Sequence, residues 1–373
     1  MRQILTAILW LSLSTAYAGS YVYQQSGRIA FGWLSSDKSA VFTTSGTLLP
    51  HTVKTIDSDS HYVTTECAGW AITAQSNYYV AYPYSVNYLL AKPPYTALPI
   101  TYTEQKQTQN ANTEHLAAVD YMTAQATSTA DALSIGYTHL GSIMRIAAYV
   151  PETKTFSSLT LTTKDNTTWF AEEATMNATD NTMSVTATAP TATLTLSNIT
   201  VEGGDSLIAY IMTSPTDLTD KSMLLTLQAT DGSTLQTYIA GNDIQAGKVY
   251  PISVGSENYF RIQNDNSGAD EDTNEVLSLQ LDIEDSQPTA NQITTATAYA
   301  PDFAPDTENE LTPFLLGDVN LDGTVDVTDV VIVVNHYQND TTDELDFNVA
   351  DIDGDGVIDV TDVVGIVNIY HRR

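Results

Sequence analysis

The chain of 373 residues has one cysteine, Cys67, so no disulfide framework can staple it, and its stability must come from packed apolar cores. Basic residues are also scarce: 14 Lys and Arg stand against 45 Asp and Glu, a net charge of -31. A surface that must meet nucleic-acid phosphates needs the opposite balance, so nucleic-acid binding is excluded. No apolar run is long enough to span a bilayer. Motifs of catalysis are missing as well. No G-x-S-x-G elbow and no phosphate loop occurs. His51, His61, His115 and His139 lack metal-ligand spacing, and none of the Glu residues of the first 254 positions sits in a motif. The expectation is therefore no catalytic site, with His139 an ordinary sheet residue.

Hydrophobic residues make up 42% of the chain, enough for real cores. The acid is unevenly spread, with 26 acidic and 3 basic residues in 257–373. It is concentrated in a duplicated loop. The first copy runs Asp318-Val-Asn320-Leu-Asp322-Gly323-Thr324-Val-Asp326-Val-Thr-Asp329, and the second Asp351-Ile-Asp353-Gly-Asp355-Gly356-Val357-Ile-Asp359-Val-Thr-Asp362. Oxygen side chains fall at loop positions 1, 3, 5, 9 and 12, and Thr324 and Val357 can offer carbonyls at position 7. Alternate residues of a tight loop can aim six or more oxygens at one calcium ion, and glycine at position 6 permits the turn. Each loop follows the EF-hand pattern with Asp in place of Glu at position 12. Two calcium ions are expected.

Behind each loop, apolar residues recur at the same offsets: Val327, Val330, Val331, Val334 and Tyr337, then Val360, Val363, Val364, Val367 and Tyr370. This is helical spacing. The β-branched run Val330–Val334 would also suit a strand, but the repeat at an interval of 33 residues favours a helix after each loop. Pro313 disfavours a long entering helix. Each copy is half an EF-hand.

From Gly317 to Arg373 the chain resembles a type I dockerin, a calcium-dependent plug for a cohesin domain. The resemblance rests on both loops, both Asp residues at position 12 and the repeated Asp-Val-Thr-Asp-Val-Val block. It implies cohesin contacts at Val327, Thr328, Val334, Asn335 and Asn339, and at Val360, Thr361, Val367, Asn368 and Arg372 in the second copy.

Residues 20–254 read differently. Leu159–Thr162, Met183–Thr188, Ala192–Ser197 and Met223–Leu227 alternate apolar with polar, broken by turn signals such as Asp231-Gly232. One wet and one apolar face per strand indicates antiparallel sheets packed in pairs. The region also carries, in order, Tyr79-Val-Ala-Tyr82-Pro83-Tyr84, Glu104-Gln105-Lys-Gln107, Asp120-Tyr-Met122, Ile135-Gly-Tyr137-Thr-His139-Leu140 and Gly247-Lys-Val-Tyr250. These words resemble the fimbrillin-like surface proteins, built from two transthyretin-like β-sandwiches. The expected fold is mainly β: sandwiches at 19–127 and 128–254, an acidic linker at 255–315, and a small α calcium-binding dockerin at 316–373. Within the linker, Val276–Ile283 alternates cleanly, and it is expected either to add to a sandwich edge or to remain linker.

Residues 1–18 read as a secretory signal: Arg2, the apolar run Ile4–Leu13, and the small-residue cleavage site Ala16-Tyr17-Ala18. Cys67 lies far from it, which excludes a lipid anchor at the first mature residue. The expectation is a secreted, non-enzymatic adhesion or structural module at the cell surface, fastened to a cohesin-bearing partner. Two alternatives stand beside it. One is a component of a polysaccharide-degrading complex, as a glycan-binding module or glycoside hydrolase; the other is a pilus subunit that polymerises with its own kind.

Overall fold

In the computed structural model the described residues are 19–373, apart from 58–60, 68–70, 130–131, 256–260, 264–294, 340–344 and 372–373. The expected signal, the strand at 276–283 and Arg372 therefore lie outside them. No helix among the described residues is long and apolar enough to cross a membrane.

The alternating runs become strands. Leu159–Thr162 lies in Lys154–Thr163, Met183–Thr188 in Thr182–Ala189, Ala192–Ser197 in Thr191–Val201, and Met223–Leu227 in Ser222–Ala229. The N-terminal part centres on an eight-stranded sheet. Its order is Leu133–Gly136, Thr295–Tyr299, Tyr62–Glu66, Leu48–Ile56, Lys38–Thr43, Asn77–Tyr82, Met122–Thr127 and Thr138–His139. The next part pairs a six-stranded sheet, built around Lys154–Thr163, with a four-stranded one in which Ser142–Tyr149 is flanked by Ser206–Thr213 and Lys248–Val254. Inward residues of all these sheets merge into one continuous core reaching from Tyr21 to Leu311.

Strand pairings cross the expected boundaries. Leu133–Gly136 and Thr138–His139, beyond residue 127, belong to the first sheet, and Thr129 N donates to Ala132 O at 2.8 Å. Conversely, Leu98–Ile100 pairs with Phe170–Asn177, and Lys106–Gln107 with Thr191–Val201. The span expected to be linker also supplies strands. Thr295–Tyr299 inserts between Leu133–Gly136 and Tyr62–Glu66, and Ala304–Pro305 extends the four-stranded sheet. A two- to five-residue strand has too few side chains to advertise its partner, so these pairings had no local signature.

The Gln105–Asn110 stretch performs an edge-sealing role. Ser206–Thr213 is an edge strand, and its outer backbone groups would be unpaired. Three side-chain amides replace the missing neighbour. Gln105 accepts from Met212 N (2.8 Å) and donates to Met212 O (2.7 Å). Gln107 accepts from Tyr210 N (3.1 Å) and donates to Ile208 O (2.8 Å). Asn110 accepts from Ile208 N (2.7 Å) and donates to Ser206 O (3.1 Å). Meanwhile the Lys106–Gln107 backbone pairs with the other sheet, so one segment seals an edge and joins two sheets. Gln107→Leu removes both amide partners and strands a buried N–H and C=O. We expect a loss of about 2–4 kcal/mol, read as a lowered urea midpoint with unchanged slope.

The C-terminal unit has its own small core of Leu315, Val319, Val325, Val333, Ala350, Ile358 and Ile366. It is seated on the sandwich. Ala240 N donates to Thr312 O and Phe314 N to Tyr238 O, both at 2.9 Å, which continues the edge of Thr234–Ala240. Lys164 donates to Asn348 Oδ1 and lies over the Tyr238 ring.

Candidate calcium centre and helix faces

The two acidic loops fold alike because the same side chains close each of them. In loop 1, Asp318 accepts from Asp322 N (3.0 Å) and Gly323 N (2.8 Å). Asp329, at position 12 and fully buried, reaches back to accept from Val319 N (2.7 Å) and Asp326 N (2.8 Å). Loop 2 repeats this: Asp351 accepts from Gly354 N (2.7 Å) and Gly356 N (3.1 Å), and buried Asp362 from Ile352 N (2.6 Å) and Asp359 N (2.9 Å). Asp326 and Asp359 each accept from the N–H two residues on, Thr328 and Thr361, at 2.6 Å. That leads the chain into α1 (Val327–Asn339) and, after the short α2 (Phe347–Ala350), into α3 (Val360–His371).

Both loops pass through the left-handed region twice. Gly323 and Gly356 do so at position 6, with φ of 88° and 87°. At position 4 loop 2 uses Gly354 (φ 77°), whereas loop 1 forces Leu321 there (φ 58°), a conformation that carries strain for a side chain. The ligand sets differ in the same sense. Carboxylate oxygens of Asp351, Asp353 and Asp355 lie within 4.8 Å of one another. In loop 1 the third position is Asn320, whose amide donates to Asp322 at 3.0 Å.

The electrostatics suit a cation. Burial, with Asp329 and Asp322 alongside, raises the Asp318 carboxyl above the usual carboxylate range. Burial and the Asp353 charge do the same for Asp362, against the N–H groups that favour its anion. No Lys or Arg forms an ion pair with either loop among the described residues. Close, partly buried carboxylates without a basic partner are the donor set a hard divalent ion satisfies. The expected ligands Asp318, Asn320, Asp322, Thr324, Asp326 and Asp329 occupy one loop, and Asp351, Asp353, Asp355, Val357, Asp359 and Asp362 the other.

The helix expectation holds, and of the five apolar offsets Val330 and Val363 turn inward, joined there by residues outside the five. Val330 and Val333 on α1, and Val363, Ile366 and Ile369 on α3, pack inward. Val327 and Val360 are 63% and 58% exposed, Val331 and Val364 50% and 53%. Val334 and Val367 are half-buried, and Thr328, Asn335, Thr361 and Asn368 are exposed. The two helices thus show the solvent matching stripes. Val331 and Val364 were not among the contacts the resemblance implied; their membership appears only once the helix phase is fixed.

Elsewhere the structure assembles a polar cluster that no spacing signalled. His139 Nδ1 lies 2.9 Å from Asp120 Oδ1, its Nε2 lies 2.7 Å from Pro301 O, and Tyr21 donates to Asp120 Oδ2 at 2.8 Å. Both imidazole nitrogens face acceptors, so the ring serves as a double donor. Burial works against its charge, but the Asp120 carboxylate, the Pro301 carbonyl and Asp302 outweigh it, and the His139 pKa is raised. All three residues are buried, and the cluster ties Pro301 to the first sheet.

The fimbrillin-like family model matches residues 26–285, and the type I dockerin model residues 316–368. No curated protein matches the chain. Among solved structures, a "putative cell adhesion protein" of Bacteroides ovatus is 15% identical, covering 64% of this chain and 89% of its own with a TM-score of 0.44. One from Bacteroides uniformis is 12% identical, covering 67% and 96%, with a TM-score of 0.41. Neither matching family is a family of enzymes. The chain belongs to the fimbrillin-like family and carries a type I dockerin domain at its C-terminal end.

Proposed function

We propose that the protein is a non-enzymatic surface module whose fimbrillin-like body is fastened to a cohesin-bearing partner by its dockerin, with one calcium ion in each loop. The observation that carries this reading is the pair of matching apolar stripes, held at the mouths of two acidic loops and left uncovered by the sandwich. Val327, Thr328, Val331, Val334 and Asn335 form one face; Val360, Thr361, Val364, Val367 and Asn368 form the other. The body acts as an adhesive or structural element outside the cell. Seating through Lys164, Asn348 and the Thr312–Phe314 pairing fixes how that body is presented once the dockerin is bound.

Two equivalent faces permit docking in two orientations related by about half a turn. Thr328→Asp or Thr361→Asp alone should then cost little more than a twofold loss of affinity for a cohesin, and both together should abolish binding. Titration calorimetry against a panel of cohesins reads this directly. A single substitution that removes all binding would show that one face alone is used.

A further inference from the structure

Gly19 is buried. Its nitrogen lies 2.8 Å from Asp37 Oδ1, and Leu34 N donates to Asp37 Oδ2 at 2.8 Å. Asp37 is itself buried, and among the described ion pairs none involves it. The titratable groups facing it are the hydroxyls of Tyr21, Tyr82 and Tyr137, none of which can be a cation. Burial pushes the Asp37 carboxyl up to about 6, against the hydrogen bonds it accepts. Tyr82 leans on this carboxylate, yet its hydroxyl is buried with no hydrogen bond of ordinary geometry. The pocket around residue 19 admits no side chain: a Cβ would come within 2.6 Å of the Phe31 ring and 3.2 Å of the Tyr82 hydroxyl, and φ is 77°. A buried carboxylate and a cleft with no room for a side chain thus converge on one backbone nitrogen.

We propose that the α-ammonium left at Gly19, once the signal is cut after Ala18 as its sequence implies, is the cationic partner of Asp37. Two independent observations meet at the Ala18–Gly19 bond: the small residues Ala16 and Ala18 preceding it in the sequence, and the anionic pocket receiving the nitrogen that follows it. Cleavage is a hydrolysis by a signal peptidase. Water adds its oxygen to the Ala18 carbonyl carbon and the C–N bond breaks. Gly19 nitrogen departs as an amine and takes up the liberated protons. With an ordinary α-amino value near 8, that group is charged at neutral pH. A backbone amide can donate once to Asp37; an ammonium donates three times and brings a charge, which strengthens the bond to a buried carboxylate. The first sheet is therefore completed by the cut itself, and any residue left in front of Gly19 deprives Asp37 of its counter-charge.

Intact-mass analysis and N-terminal sequencing of the secreted protein should show Gly19 as the first residue; a mature chain that starts anywhere else overturns the proposal. The pairing is tested on full-length chains released from a cleavable fusion so that they begin either at Gly19 or at an added Ser-Ala before it. The Gly19 form should melt higher by roughly 3 °C or more. Asp37→Asn should lower the melting temperature of the Gly19 form and erase the difference between the two. If the difference persists in Asp37→Asn, or if the two chains melt together with Asp37 intact, the ammonium has no role there. Asn keeps the size of Asp and can still accept from Leu34 N, so the variant is expected to fold.

Discussion

Chelating calcium should unfold residues 317–371 and leave the sandwich transition in place. Loop 1 gathers four carboxylates and loop 2 five, with Asp329 and Asp362 fully buried. The unit's core is seven buried side chains, too few to offset that repulsion unaided. With metal, stability grows as RT ln(1 + [Ca]/Kd), about 2.7 kcal/mol at a hundredfold excess over Kd. Calorimetry should therefore show a low-temperature transition that moves with calcium, and a second, larger one that does not. Asp362→Ala removes a ligand together with the acceptor for Ile352 N and Asp359 N, so it should abolish binding in loop 2 altogether. Loop 2 should also be the tighter site, since Asp353 replaces Asn320 and Gly354 replaces the strained Leu321. Leu321→Gly is expected to narrow that gap. A dockerin transition unchanged by chelator would sink the calcium reading.

The second large effect belongs to Asp120. Asp120→Ala removes the acceptor of Tyr21 and the counter-charge of His139 in a site without water access. Breaking a buried pair in this way costs about 3–5 kcal/mol, roughly 10 °C in melting temperature for a body of this size. The pH dependence has a definite sign. His139 holds its proton in the folded state above the ordinary value near 6.5. Its stabilisation is therefore complete below that value and fades as pH rises through the folded one. Wild type should lose stability on going from pH 6 into the alkaline range more steeply than His139→Gln, which retains only one of the two contacts. Parallel pH profiles for the two proteins would contradict the double-donor assignment.

The parts of this molecule that could be read from the sequence are those whose causes are local. An acidic loop states its turn within twelve residues, a helix its period within three turns, and an alternating strand its buried face within six residues. The loops, α1, α3 and the long strands were legible for that reason. Strand partnership is a different kind of information. Thr295–Tyr299 looks like any polar, Thr- and Ala-rich stretch, and its acceptor is a gap between Leu133–Gly136 and Tyr62–Glu66 that exists only after folding. Gln105 and Gln107 were noticed as a recurring word, but their purpose depends on an edge a hundred residues away. His139 shows the limit most sharply. Its neighbours in sequence predict a sheet residue, and it is one; its charge is set by Asp120, Pro301 and Asp302, which only the tertiary structure brings to it. On α1 the five apolar offsets were recognised as helical, yet which of them face the core was decided by the packing of Val330 and Val333 against α3.

Attachment through a calcium-loaded dockerin has one direct test. The full chain, beginning at Gly19, should be titrated into purified cohesin domains by isothermal calorimetry, first in millimolar calcium and then in excess chelator. Saturable one-to-one binding to at least one cohesin is expected in calcium, and none in chelator. Binding that survives chelation, or its absence from every cohesin while calorimetry shows both loops loaded, would contradict it.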